Sequence, residues 1–250
     1  MIRRANSWPE ERTVKKLTSW SFSRYSEYGQ CPLRAKFKYL DKIKEPTNAP
    51  MLRGQEIHKK AEDYIKGTIT NIPSELRYFA TDFRLLRQLY ARRIRVMAVE
   101  ETWAFTNEWD KTTFDDWTGC WVRVKADCAF EHRDGSMVVI DWKTGKFHQD
   151  GTHLYLEQLE LISLAALLQY PHIDVVEPRL AYLDHDLIYP SDKEVKLIKR
   201  EYMPTLMKSW ELRTKAMMSD TQFDPRPSDK CRFCFFRHSN AANGGGQCKY

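Results

Sequence analysis

The sequence contains no apolar run long enough to cross a membrane, and the segment from Met1 to Arg12 lacks the apolar core of a secretion signal. We therefore expect a cytoplasmic protein with no membrane association. The Gly-x-x-x-x-Gly-Lys-Ser/Thr phosphate loop is also absent, which excludes a motor driven by nucleotide hydrolysis. No internal repeat is found, and low complexity is limited to Gly244-Gly245-Gly246.

The composition is that of an ordinary globular protein, with 42% hydrophobic and 30% charged residues in 250 positions. The net charge is +6 and the pI is about 8.9, and basic clusters are mixed with 8 Trp, 12 Tyr and 12 Phe. Such a mixture suits a polyanion whose bases can stack on aromatic rings, although many cytosolic proteins share it.

Hydrophobic periodicity changes along the chain from a helical to a strand pattern and back. The strands are predicted at 101–105, 121–127, 137–142 and 175–183. The helices are predicted at 19–28, just after Cys31-Pro32, and at 52–65, 74–99, 154–169 and 191–218. This order predicts an α/β (α+β) fold in which helices flank a mixed central sheet.

The most informative stretch is Val138–Lys146, in which three apolar strand-forming residues lead into Asp141-Trp142-Lys143. Side chains alternate along a strand, so Asp141 and Lys143 project from one face and Trp142 from the other. A carboxylate and an ammonium at this spacing can share a hydrated metal ion and its attacking water. Taken alone, the pair could equally be a surface ion pair.

A second carboxylate depends on the turn at Arg133-Asp134-Gly135. A two-residue Asp-Gly turn would place Asp127 opposite Trp142, on the other face from Asp141. A three-residue turn with a left-handed Gly135 instead places Asp127 opposite Asp141. We predict the three-residue turn, because two facing carboxylates are better explained by a shared cation than by solvent.

These residues, in order, resemble the PD-(D/E)XK nucleases of the RecB-like branch, which includes CRISPR-associated adaptation nucleases and phage and recombination exonucleases. The matching pieces are Gly54-x-x-x-His58, Asp127, Asp141-Trp142-Lys143-Thr144-Gly145-Lys146 and Gln158. The resemblance implies a restriction-endonuclease-like core and a Mg²⁺- or Mn²⁺-dependent deoxyribonuclease, acting on DNA ends or single strands in recombination, repair or phage DNA processing. A phage-encoded protein would work in the host cytoplasm.

The resemblance also implies a role for each matching residue. His58, Asp127, Asp141 and the backbone carbonyl of Trp142 would bind the metal, Lys143 would position the attacking water, and Gln158 would hold the lysine or the DNA backbone. Two positions depart from the family pattern. Val124 stands where the family often has glycine, and Ile162 stands where it often has tyrosine, whose role Tyr155 could take. The alternative is a non-catalytic nucleic-acid-binding module stabilised by zinc or a cluster.

Four of the six cysteines form a separate pattern, with Cys231-x-x-Cys234 and Cys248 near one end and Cys31 near the other. In a reducing compartment clustered cysteines indicate a metal more often than a disulfide. The resemblance implies a [4Fe-4S] cluster on these four thiolates, and tetrahedral Zn²⁺ is the alternative. Cys120 and Cys128 are predicted to be ordinary strand residues, and His238 is a possible substitute ligand.

The implied organisation is a single nuclease domain over residues 1–250. Its core covers about 52–218, and segments of about 19–45 and 220–250 form the cluster-binding subregion. We expect single-stranded or end-bearing DNA as the partner, and a recombination or replication protein is also possible. Arg84, Arg87, Arg92, Arg93 and the helix near Cys31 are predicted to line a passage for one strand.

Overall fold

The computed structural model describes residues 15–147 and 152–250, and its centre is a seven-stranded mixed sheet. The strands are β1 (Val96–Phe105), β2 (Lys111–Thr112), β3 (Val122–Glu131), β4 (Met137–Lys143), β5 (Val175–Tyr182), β6 (Leu187–Tyr189) and β7 (Ile198–Lys199). Their order is β2-β1-β3-β4-β5-β6, with β7 also beside β5. Among the described strands, only β4 and β5 pair in parallel.

Helices cover both faces of this sheet. They are α1 (Phe22–Gln30), α2 (Pro32–Tyr39), α3 (Ala49–Lys66), α4 (Ala80–Ala91), α5 (Thr152–Gln169) and α6 (Met203–Ser219). One apolar core joins the sheet to α5 and α6, and a second joins it to α3 and α4. The predicted mixed sheet flanked by helices is therefore confirmed.

The β3–β4 hairpin has the predicted register. Cys128 pairs with Ile140 and Glu131 with Met137, and Gly135 is left-handed with φ of +84°. His132 donates its backbone N–H to the Ser136 carbonyl, so the turn holds three residues. Continuing this register places Asp127 opposite Asp141, as predicted.

The predicted helix over 74–99 is wrong in its last third. A 3₁₀ helix (Ser74–Phe79) and α4 account for its first part, and β1 begins at Val96. The chain turns at Arg93 and Arg95, whose φ angles are +54° and +61°. Beyond that turn β-branched residues favour a strand that can pair with β3.

The predicted helix over 191–218 is also too long. Residues before Met203 include β7, whose Ile198 pairs with Val176 of β5. Helix α6 starts at Met203, with Pro204 in its first turn, where a missing N–H costs no hydrogen bond.

The segments around the cysteines are in contact with each other. The Tyr28 hydroxyl donates to Asp220 at 2.7 Å, and the rings of Phe37 and Phe236 lie 5.2 Å apart. The predicted domain includes residues 1–14, which lie outside the described residues. The bounds of the domain, its core and its cluster-binding subregion therefore stay a prediction. No helix in the described part of the chain is long and apolar enough to span a bilayer.

Candidate active site

A cleft of about 510 Å³ lies where α3, the ends of β3 and β4, and α5 come together. The parallel β4–α5–β5 crossover explains this meeting, because α5 must return along the sheet from the end of β4. Five predicted side chains line the cleft, together with Trp142: His58, Asp127, Asp141, Lys143 and Gln158.

The two aspartates are both buried at the base of the cleft. Asp127 Oδ2 accepts a hydrogen bond of 2.8 Å from the Trp142 backbone N–H. Asp141 Oδ1 accepts one of 2.7 Å from Gln158 Nε2. Asp141 Oδ2 lies 2.6 Å from Lys143 Nζ, but no donor among the described residues is aligned with it for a hydrogen bond.

Burial disfavours the charged form of Asp141 and raises its pKa to about 6, although the Lys143 ammonium acts in the opposite direction. The neighbouring Asp127 carboxylate adds to the rise. The two buried carboxylates repel each other, and a cation bound between them would relieve that repulsion.

Lys143 is held from three sides. Its Nζ donates to Gln158 Oε1 at 3.0 Å, pairs with Asp141, and lies 4.7 Å from the centre of the Tyr155 ring. Tyr155 thus stands beside the lysine, whereas Ile162, at the family's tyrosine position, is buried in the core. These contacts fix the ammonium at the cleft.

His58 projects from α3, and both of its ring nitrogens have partners. Nε2 lies 2.9 Å from the Trp142 carbonyl oxygen, and Nδ1 lies 2.9 Å from Glu100 Oε1 and 3.4 Å from Asp127 Oδ1. Burial lowers the pKa of His58, but the hydrogen bonds to Asp127 and Glu100 outweigh burial and raise it to about 10.

Glu100 is a site residue that sequence reasoning missed, because it fell between the helix predicted over 74–99 and the strand predicted from 101, whereas β1 begins at Val96. Its side chain is only 8% exposed, and it pairs with Lys125 as well as His58. Glu100 stands opposite Asp127 in the β1–β3 register and has a left-handed φ of +53°.

The alternation of β1 shifts at Glu100, and this shift becomes visible only in the packing of its neighbours. In a regular strand, residues an odd number of positions apart face opposite sides of the sheet. Ala98 and Trp103 are five positions apart but pack in the same core, while Val99 packs in the other core. A glutamate at such a break in an apolar strand is a candidate site residue.

The donor set fits a hard divalent cation. His58, Glu100 and Asp127 offer ligand atoms that all lie within 4.8 Å of one another, and the Trp142 carbonyl is beside His58. Carboxylate and carbonyl oxygens suit Mg²⁺ or Mn²⁺, and an imidazole favours the transition metal.

The cysteines fall into two groups. Cys31, Cys231, Cys234 and Cys248 are free and half-buried. Cys128 is buried in β3, as predicted for a strand residue, whereas Cys120 is buried in the loop before β3, so its predicted place in a strand is wrong. The first four line one small cavity of about 40 Å³. Backbone N–H groups of Arg226 and Ser228 point at the sulfurs of Cys31 and Cys231, at 3.5 and 3.3 Å. His238 does not line that cavity.

The arginines predicted to line a passage do not line the cleft: Arg84, Arg87, Arg92 and Arg93. Arg87 instead donates to the backbone carbonyls of Tyr64 and Ile69, which ties α4 to α3. The other three are exposed on α4 and the turn that follows it.

No curated protein matches the chain. Among solved structures, SSO0001 is 15% identical, with 90% of this chain and 87% of that chain covered and a TM-score of 0.45. A candidate exonuclease from Eubacterium rectale is 12% identical, with 86% and 88% covered and a TM-score of 0.45.

The family model of the PD-(D/E)XK nuclease superfamily matches residues 19–239. The match spans most of the chain, including the cleft residues, α1, α2 and the first three cysteines of the cavity. The chain therefore belongs to the PD-(D/E)XK nuclease superfamily, and its fold is the restriction-endonuclease-like one.

Proposed function

We propose that the protein is a Mg²⁺- or Mn²⁺-dependent deoxyribonuclease of the RecB-like branch that hydrolyses phosphodiesters at DNA ends or in single strands. The observation that carries the proposal is the convergence of Asp127, Asp141, Lys143 and His58 on one cleft. A non-catalytic module would have no need to keep two buried carboxylates and a lysine in contact.

The site residues have two roles, which are to hold a cation and to orient the attacking water. Asp127, Asp141, His58 and the Trp142 carbonyl would hold the cation, which would stabilise charge on the phosphate and lower the pKa of the attacking water. Lys143 is positioned to orient that water, because Asp141 and Gln158 fix its ammonium. Gln158 is a positioning residue that bridges Asp141 and Lys143.

The test is a panel of labelled DNAs incubated with purified protein, with and without Mn²⁺. Linear single strands and frayed ends should be cut faster than blunt duplex, and covalently closed duplex should resist. Cleavage should require the metal and weaken as salt rises. Equal rates on closed duplex and linear single strands would overturn the preference, and no cleavage of any DNA would overturn the activity.

We further propose a [4Fe-4S] cluster on Cys31, Cys231, Cys234 and Cys248. Four free thiols line one cavity, and N–H groups directed at two of the sulfurs would favour their thiolate forms. Tetrahedral Zn²⁺ on the same four thiolates is the alternative.

Protein purified without oxygen should be brown and carry about four irons per chain. Cys231→Ser should bleach it, and Cys120→Ser should keep the colour, because Cys120 is buried in the loop before β3 and does not line the cavity. Colourless protein with one zinc per chain would identify the alternative metal. A cytoplasmic location and a recombination or replication partner are part of the same proposal, consistent with six unpaired cysteines.

A further inference from the structure

We propose that Trp117 and Phe114, with Arg123 between them, form a platform on which bases of the substrate single strand stack beside the active site. This inference rests on the proposed function and adds a subsite to it. The loop joining β2 to β3 carries both rings on the surface, with Trp117 79% exposed and Phe114 50% exposed. Large exposed rings on a structured loop suit a ligand with flat faces.

The loop is held in one shape by Asp116. Its Oδ1 accepts hydrogen bonds from the Gly119 N–H at 2.8 Å and the Thr118 N–H at 3.2 Å, and its Oδ2 accepts one of 2.6 Å from the Thr112 hydroxyl. The Thr112 hydroxyl and the Gly119 N–H lower the pKa of Asp116 to about 2. Trp117 is therefore presented to solvent by an ordered turn.

Arg123 joins the rings to the sheet. Its Nη2 donates to the Phe114 carbonyl at 3.1 Å and its Nη1 donates to the Ser19 hydroxyl at 2.8 Å. The guanidinium carbon lies 5.0 Å from the Phe114 ring centre and 5.8 Å from that of Trp117. A cation among aromatic rings is an arrangement that binds both the phosphates and the bases of a single strand.

A groove connects this platform to the active site. A second cleft of about 400 Å³ is lined by Phe114 and Arg123 of the platform and also by Lys125 and Gln158. Lys125 and Gln158 also line the catalytic cleft. Arg123 and Lys125 are two positions apart on β3 and share a face opposite the buried Val122 and Val124.

The distance along β3 sets how far the platform lies from the chemistry. Arg123 precedes Asp127 by four residues, which is about 13 Å in a strand. A nucleotide advances at least about 3.4 Å along one strand, so a stacked base would lie within about four nucleotides of the scissile phosphate. A paired base has both faces covered by its neighbours in the helix. The platform therefore favours unpaired strands.

The test measures binding of a labelled single-stranded oligonucleotide to the full chain in EDTA, and cleavage in Mn²⁺. Trp117→Ala should weaken binding about 5- to 100-fold, the effect of losing one base–aromatic stack. It should raise KM for single strands with kcat nearly unchanged. Trp117→Phe should retain most of the affinity.

The matched control is Tyr78→Ala. Tyr78 is also an exposed ring with an arginine against it, since the Arg77 guanidinium lies 4.4 Å from its centre. It lines neither cleft, and its loss should leave affinity unchanged. The slope of affinity against salt should stay the same in Trp117→Ala, because no charge is removed.

Oligonucleotides with one abasic site distinguish stacking from a general loss of fit. An abasic site at one position, within about four nucleotides of the cut, should weaken binding to the natural protein. The same site should have no further effect on Trp117→Ala. Two results would overturn the platform while leaving the nuclease activity established. One is equal affinity of Trp117→Ala and the natural protein. The other is an abasic site that weakens binding to both proteins by the same factor wherever it is placed. Absence of any DNA cleavage by the natural protein would instead overturn the proposed function.

Discussion

Replacing Glu100 by glutamine tests the site residue that the sequence did not reveal. The change keeps the size of a side chain that is only 8% exposed, but it removes the negative charge beside His58 Nδ1. The ion pair with Lys125 is lost as well. We expect the fold to be retained, because the amide oxygen can still accept a hydrogen bond from His58.

The magnitude follows from the place of Glu100 beside a metal-binding histidine. Loss of such a partner typically costs 10- to 100-fold in metal affinity or activity, which is about 1.4 to 2.7 kcal/mol. Glu100 also raises the pKa of His58, so its loss relieves some competition from the proton. A divalent ion loses more attraction than a singly charged imidazolium does, so the net effect is weaker metal binding.

The assay is a Mn²⁺ titration of cleavage rate at two pH values. Glu100→Gln should require about 10- to 100-fold more Mn²⁺ for half-maximal rate, and added metal should restore much of the rate. Glu101→Gln is the control, because Glu101 is the exposed neighbour on β1. An unchanged Mn²⁺ requirement in Glu100→Gln would refute the role of this carboxylate.

Three further predictions concern other parts of the molecule. The pKa of His58, raised from 6.5 to about 10, means that its protonated form stabilises the fold below pH 6.5 and that this contribution fades towards pH 10. Mn²⁺ must displace that proton, so calorimetry in two buffers should detect the release of about one proton for each ion bound. Binding without proton release would contradict the assignment of His58 as a ligand. Cys31→Ser should lower the melting temperature on the order of 10 °C in cluster-loaded protein, because a loop of ~200 residues is no longer closed; an unchanged midpoint would contradict this. Gly119→Ala would place a Cβ 2.4 Å from Asp116 Oδ2 and should lower the free energy of unfolding by about 1 to 3 kcal/mol in a urea titration. Gly29→Ala, with no atom within 4 Å of the added Cβ, should not.

The parts of the fold that local chemistry decides were predictable from the sequence. The Asp-Gly turn fixed the β3–β4 register, because only a left-handed glycine bulge brings two acidic residues to one face. The apolar run before Asp141 marked the central strand, and the spacing of Lys143 followed from strand alternation. These features lie within a few residues of one another in the chain.

The features that were missed depend on tertiary contacts. The long amphipathic pattern gave no sign that α4 ends at Ala91, because the left-handed residues that end it, Arg93 and Arg95, are not glycine. The Arg95 carbonyl accepts a hydrogen bond from the Glu131 N–H of β3. Glu100 was hidden by the same error. The start of α6 was predicted too early because β7 is only two residues long and forms by pairing with β5.

The central claim is that Asp141 and Lys143 form the hydrolytic site, and one measurement tests it most directly. The rate of release of labelled nucleotide from linear single-stranded DNA in Mn²⁺ is compared for the natural protein, Asp141→Asn, Lys143→Ala and the exposed-turn control Asp134→Asn, with circular dichroism as a check on folding. The account predicts that both site variants lose most cleavage while keeping the fold, and that Asp134→Asn cleaves normally. Near-normal cleavage by folded Asp141→Asn would contradict it.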